Sequence, residues 1–188
     1  CPGLKVVFPS NARDAKGLLK TAIRGEDPVL FLEHKGLYRQ RFAASKEPDE
    51  EYLLPFGKAN IVKEGKDLTV ITWGLMVHST LKALQILGIK DEVEVLDMRT
   101  LKPWDEKSVM DSVKKTGKAL IVHEDNLTCG FGAELSAQIS EKVFQYLDGP
   151  VLRVAAKDTP IPFAEPMENA VLPTEKTIKE AIEKLLEY

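Results

Sequence analysis

The stretch Lys118–Leu135, KALIVHEDNLTCGFGAEL, constrains what this chain can fold into more than any other. Ala119 to Val122 form a short apolar run of the kind a buried parallel strand requires. His123, Glu124, Asp125 and Asn126 put polar groups where that strand ends, Gly130 and Gly132 free the backbone, and a helical pattern sets in at Ala133. Strand, polar loop, glycines and helix make the βα turn where open α/β sheets place ligand sites, because helix amides point into the crevice there. The same glycines also serve to let a helix pack close to its strand. Spacing alone leaves both readings open.

The flanking segments repeat the pattern. Leu4 to Phe8 reads as a strand closed by Pro9. Ser10 is the expected cap of a helix whose apolar residues are Ala15, Leu18, Leu19, Ala22 and Ile23, stopping at Gly25. Val29 to Leu32 is a second buried strand. Residues 4–33 thus form one βαβ unit, too small to bury its own core and in need of a sheet from elsewhere. Its open apolar edge predicts association or disorder of residues 1–45. The chain begins Cys1-Pro2-Gly3 and enters a strand at once, so the expectation is that a longer protein precedes it. Glu33 to about Phe56 turns charged and polar, as a linker does.

From Gly57 a complete α/β domain is expected. Lys58–Val62 and Leu68–Trp73 flank Glu64-Gly65-Lys66-Asp67 and read as a hairpin. Ser79 is the expected cap of a helix carrying Leu81, Leu84 and Leu87 and ending at Gly88. Val93–Leu96 is the next strand. Asp105 caps a helix with Val109 and Val113 that Gly117 ends. The central strand and its helix, to about Leu147, lead to a strand at Val151–Val154. Asp158–Pro173 is proline-rich and reads as irregular. Thr174 caps a last amphipathic helix with Ile178, Ala181, Ile182, Leu185 and Leu186. Strands alternating with helices at this spacing imply a mostly parallel sheet covered on both faces.

Composition narrows the function classes. A net charge of −3 without a basic stripe argues against a nucleic-acid partner. No apolar run reaches the roughly 20 residues of a membrane span. Cys1 and Cys129 have no paired spacing, which points to a reducing, cytosolic compartment and away from a zinc site.

Candidate chemistry is sparse. His123-Glu124 lacks the HExxH spacing, and His34, His78 and His123 are the only histidines. Adjacent strand residues point opposite ways, so His123 and Glu124 do not face one ligand together. A hydrogen bond from His123 to a neighbouring loop is expected. Gly130-Phe131-Gly132 without the rest of the dinucleotide fingerprint is weak. Glu33-His34 and Tyr38-Arg39 lie at a strand end, suited to an interface, a pocket or salt bridges. Asp97 and Arg99 are expected to pair across their loop. Arg24–Asp27 is a tight turn whose carbonyls can face a cation, as most such turns do not. The residues by themselves yield a crevice without a self-sufficient active site.

Five stretches taken together carry a resemblance. They are CPGLKVVFPSNARDAKGLLKTAIRGEDPVLFLEHKGLYR, GKANIVKEGKDLTVITWG, VLDMRTLKPWD, the 118–135 segment and LRVAAKDTPIPFAEP. In order, along nearly the whole chain, they resemble the beta subunit of the thiamin diphosphate-dependent decarboxylating component of 2-oxo acid dehydrogenase complexes, in the transketolase-like group. The forms at Trp73–His78, Lys102–Asp105 and His123–Leu135 look more like the branched-chain (2-oxoisovalerate) type than the pyruvate type, which is the alternative.

That resemblance implies a three-layer αβα transketolase C-terminal-type domain over 58–188. It implies a linker over 46–57 and, over 1–45, the last βαβ piece of a pyrimidine-binding domain. The parent would decarboxylate a branched-chain 2-oxo acid and pass the acyl unit to lipoyl groups. Its cofactors would be thiamin diphosphate and magnesium; the glutamate that contacts the aminopyrimidine and the histidine near the reacting carbon would lie upstream of Cys1, so no catalytic or cofactor-binding residue is expected here. A potassium ion is implied at the turn of Ala22, Gly25 and Asp27, with its remaining ligands upstream. Implied partners are an alpha subunit or fused alpha region, a second beta copy, and an acyltransferase core docking near the last helix and Tyr188. The implied location is the cytoplasm, or the mitochondrial matrix in a eukaryote. A different class of function, a subunit-binding module without cofactor, also fits the chain, as would a free-standing nucleotide domain if Gly130–Gly132 gripped a phosphate.

Overall fold

The computed structural model describes residues 1–188. The first strand, β1 (Lys5–Val7), leads through helix α1 (Ala12–Arg24) to β2 (Val29–Phe31), which pairs with β1 in parallel. Asn11, not Ser10, caps α1: its side chain accepts the Asp14 N–H at 2.9 Å. The Ser10 hydroxyl is engaged elsewhere, on Asp97, so the helix starts one residue later than its sequence suggests.

Residues 33–56 hold two short 3-10 turns, at Lys35–Leu37 and Arg41–Ala43, and then run back along α1. Ser45 Oγ accepts the Arg13 N–H, Lys16 reaches Glu47, and Leu54 bonds the Gly17 carbonyl. The expected linker is therefore packed chain.

The larger sheet has the order β3-β5-β4-β7-β8, with β3 Asn60–Lys63, β4 Leu68–Thr72, β5 Val93–Asp97, β7 Ala119–Asn126 and β8 Leu152–Ala156. Four strands are parallel; β3 runs antiparallel on the β5 edge. The expected hairpin of β3 with β4 does not form. Gly65 instead presses on the backbone of Val93 and Glu94, where an added Cβ would lie 2.1 Å from the Glu94 nitrogen. The chain can turn under β5 only through that contact, so β3 lands beside β5.

Alternation along the strands builds two cores. Leu68, Val70, Val93, Val95, Leu120 and Val122 face α2 (Leu75–Leu87) and α6 (Glu175–Leu186). Ile71, Leu96, Ala119 and Ile121 face α3 (Glu106–Thr116) and α4 (Phe131–Val143). Complete burial of these aliphatic side chains stabilises each by roughly 1.5–3 kcal/mol relative to exposure. The fold is thus three layers, with a mostly parallel sheet in the middle. Asp105 and Thr174 cap α3 and α6 as their spacing predicts, and Gly88 and Gly117 end α2 and α3 in left-handed conformation. α2 is capped at Gly74 rather than Ser79, one turn earlier, because the apolar face already begins at Met76 and Val77. Within the proline-rich segment, Glu165–Val171 forms one short helix, α5.

One strand crosses between units. β6 (Thr100–Lys102), which follows β5, leaves the large sheet and pairs antiparallel with β1, giving a small sheet of order β2-β1-β6. The βαβ unit therefore finds a third strand within this chain, contrary to expectation. Its other edge stays open: β2 has no outer partner, and Leu30, Leu19 and Ile23 are exposed beside it. No helix is long and apolar enough to cross a membrane.

Gly65 and Gly88 separate two costs of a side chain. Gly65→Ala must displace strand backbone and is expected to cost 2 kcal/mol or more, near the upper end of about 1–3 kcal/mol for overpacking. Gly88→Ala meets open space and bears only the left-handed penalty, about 1–2 kcal/mol. Urea unfolding of both variants checks the order.

Candidate functional site at the carboxyl ends of the sheet

The sheet order reverses between β4 and β7, since β5 lies on one side of β4 and β7 on the other. A crevice at the carboxyl ends of those two strands is where such sheets take ligands. Here it is filled from within. Trp73 and His123 stack with ring centroids 5.3 Å apart and planes at 9°, and Phe131 meets Trp73 edge-on. Gly132 lies against the His123 ring so closely that a Cβ would sit 2.2 Å from Nε2. At Gly130 a Cβ would strike the Asn126 carbonyl. Packing, rather than a phosphate grip, accounts for both glycines.

His123 is fully buried, and neither ring nitrogen has a hydrogen-bond partner. The expected bond to a neighbouring loop is absent because the ring points under the glycine loop into apolar surroundings. Burial lowers its pKa below the ordinary imidazole value, and the nearby Arg153 charge adds to this against the opposing pull of Asp125. The ring is held neutral. Glu124 points the other way, as strand alternation requires, and meets His34 Nε2 at 2.7 Å.

That contact belongs to a seam along which residues 1–45 sit on the strand ends. Ser10 Oγ donates to Asp97 Oδ2 at 2.5 Å, and the Phe8 N–H donates to the Arg99 carbonyl. His78 Nε2 bonds the Ser10 carbonyl at 2.8 Å. Asp97 and Arg99 do not pair through their side chains; Asp97 accepts the Arg99 backbone N–H, while the Arg99 guanidinium donates to Asp14 at 2.7 and 3.1 Å. Asp14 is buried, so its charge needs that partner. No sequence signal marks this pairing, since the partners stand 85 residues apart.

Beside the seam opens a cavity of about 550 Å³, within the usual size of small-molecule sites. Pro9–Ala12 and Ala15 form one side; Glu33, His34 and Leu37–Arg41 form the other. Glu33 and Tyr38 are bonded to each other at 2.5 Å. Both strand-end pairs singled out in the sequence thus line a pocket, and the Tyr38–Glu33 bond links one pair to the other.

The cation turn has a different setting. The Ala22 carbonyl accepts the Gly25 N–H at 3.2 Å, closing α1, and the Asp27 carboxylate pairs with Lys5 at 2.7 Å. The Thr21 and Ala22 carbonyls gather within 3.6 Å of the Gly25 Cβ position. Side chains supply no cage: no three His, Cys, Asp or Glu groups converge anywhere in the chain.

Residues 57–178 match the family model described as transketolase, C-terminal domain. The chain belongs to that family. Residues 1–41 match the transketolase pyrimidine binding domain, so the seam lies between segments that match two transketolase families. A relative, "Pyruvate dehydrogenase E1 component subunit beta" of Bacillus subtilis (strain 168), is 47% identical over 189 residues, covering 100% of this chain and 57% of that protein. The protein of the same name from Staphylococcus epidermidis is 46% identical over the same span. The chain therefore spans little more than half the length of these relatives. Among solved structures, "Split gene transketolase, inactive beta4 tetramer" superposes with a TM-score of 0.76 at 25% identity, covering 99% of this chain and 58% of that one.

Asp97 provides a test of the seam's electrostatics. Burial pushes its pKa up to about 6, against the lowering effect of the Ser10 and Arg99 bonds. A raised folded pKa means that its contribution to stability is full below the unfolded value near 3.8 and is lost as pH rises through about 6. Asp97→Asn keeps an acceptor for Ser10 without the buried charge. It should leave the melting temperature near that of the parent at pH 4 and raise stability at pH 8 by up to about 3 kcal/mol. Thermal melts at the two pH values decide this.

Proposed function

We propose that the parent protein is the beta subunit of a 2-oxo acid dehydrogenase decarboxylating component. In this reading the chain supplies the end of its pyrimidine domain, with boundaries near 1–45, a connecting stretch over 46–57 and the C-terminal domain over 58–188. The observation that carries it is 46–47% identity over the whole chain to relatives named for that subunit. On the same names, pyruvate is the first substrate to test. A second reading, a branched-chain 2-oxo acid, is favoured by the forms at Trp73–His78, Lys102–Asp105 and His123–Leu135.

Thiamin diphosphate, with magnesium, supplies the decarboxylation chemistry when bound, as the cofactor does in enzymes of this kind. No residue of this chain is assigned to hold either. The chain's own work is positional: the seam fixes where β1, α1 and β2 stand, and the buried Trp73–His123 stack keeps water out of the switch-point crevice. The turn at Ala22, Gly25 and Asp27 is assigned a potassium ion through backbone carbonyls. The gathered carbonyls at the negative end of the α1 dipole suit that role.

The proposed partners are an alpha subunit or fused alpha region, a second beta copy and an acyltransferase core. The exposed edge of β2 with Leu30 and Ile23 suits the remainder of the pyrimidine domain. Tyr188, exposed at the end of α6, is the candidate for contact with the core. The proposed location is cytoplasmic, or the mitochondrial matrix in a eukaryotic source. A module that only binds subunits is the competing class.

Three measurements test these readings. The full-length protein with its alpha partner should turn over pyruvate faster than 2-oxoisovalerate. The reverse preference would establish the branched-chain type, and turnover of neither would favour the binding module. Calorimetric titration of the 188-residue chain with thiamin diphosphate and magnesium should give no heat, whereas binding would place cofactor contacts within it. For the cation, potassium chloride should raise the melting temperature of the full-length protein more than equal sodium chloride; equal effects would remove the site.

A further inference from the structure

His34 joins three parts of the chain. Its Nε2 meets Glu124 on β7 at 2.7 Å, its Nδ1 accepts the Gly36 N–H at 3.1 Å, and its ring stacks on Phe8 of the β1–α1 connection. The Gly36 bond needs a lone pair on Nδ1, so this geometry is that of the neutral ring carrying its proton on Nε2. A second proton can go only to Nδ1, where it would confront the Gly36 N–H. The Glu124 hydrogen bond and charge nonetheless favour that proton, and hold the imidazole above its ordinary value despite partial burial.

The other charged groups around the ring do not replace Glu124. Glu33 is bonded to the Tyr38 hydroxyl, and Arg39 and Arg41 line the same cavity. From the β1–α1 connection the ring meets Phe8, and the α2 residue nearest the Gly36 turn is Leu75; both are apolar. The turn that Gly36 belongs to, Lys35–Leu37, has the His34 side chain as its cap. Directly after it, Leu37–Arg41 forms one wall of the cavity, with Arg39 held at φ +62°.

We propose that His34 is a proton-operated switch: taking up a proton, the ring exchanges the Gly36 cap for a full ion pair with Glu124 and releases the 35–41 wall of the cavity. Neutral, it holds the wall in place through the Lys35–Leu37 turn. Protonated, it binds that domain harder and lets the wall move. The sign follows from the raised imidazole: the Glu124 link is strongest below the ordinary histidine pKa and weakens as pH rises through the folded value. The proposal goes beyond the reading of the parent as a dehydrogenase subunit and does not depend on it, since it needs neither cofactor nor partner.

Nuclear magnetic resonance of the ¹⁵N-labelled 188-residue chain between pH 8.5 and 5.5 tests it. The His34 Nδ1 resonance should lose its lone-pair shift on acidification. With the same midpoint, the Gly36 amide proton should move upfield, and fast motion of residues 35–41 should increase. His34→Gln, which still donates to Glu124 but does not titrate, should abolish the pH dependence of the Gly36 amide. Glu124→Gln should move the midpoint to lower pH and serves where His34→Gln fails to fold. Protonation of Nδ1 with an unchanged Gly36 amide overturns the switch. So does a ring that stays neutral throughout, a midpoint that Glu124→Gln leaves in place, or an equal pH response in His34→Gln.

Discussion

A buried aspartate with 1% of its surface exposed must find a cation, and Asp14 finds Arg99. Much of the arrangement follows from that need. An unpaired buried charge costs several kcal/mol, so the first turn of α1 can sit only where the guanidinium reaches it. Arg99 reaches it from a left-handed backbone, φ +57°, a conformation that side chains other than glycine usually avoid. The same turn presents the Arg99 carbonyl to Phe8 and its N–H to Asp97, which in turn accepts from Ser10. One buried pair thus orders the contact between the two segments, and Ser10, at the end of that chain of bonds, also lines the cavity beside it.

What the sequence made legible was local. Apolar runs such as Ala119–Val122 and the caps Asp105, Thr174, Gly88 and Gly117 depend on neighbours within a few residues, and each lies where the letters place it. Pairing between distant segments was not legible. Nothing in Lys58–Val62 says that it joins β5 rather than β4; the reason lies in Gly65 pressed against a strand about 28 residues further on. Likewise Ser10 is as good a cap as Asn11 until Asp97 claims its hydroxyl.

The site shows the same division. His34 and Glu124 were each visible as polar residues at a strand end, yet 90 positions separate them, and only the folded chain makes them a pair. His123 looked like a residue in need of a hydrogen bond, and instead stands neutral beneath a glycine that leaves its ring no room for a donor. Family resemblance reached further than residue chemistry because it reads the order of five segments at once. Substrate preference escaped both, since the residues nearest the crevice in this chain pack and position.

The crossing strand has a consequence for where one piece of this protein stops and another starts. Thr100–Lys102 belongs in sequence to the large sheet and in hydrogen bonding to the small one. A boundary drawn through residues 46–57 therefore divides the chain on paper but not in space. Severed there, the first piece would lose the neighbour of Val6 and Val7, and the second would carry a strand with nothing to pair with. Sequence families divide here; the hydrogen-bonded sheet does not.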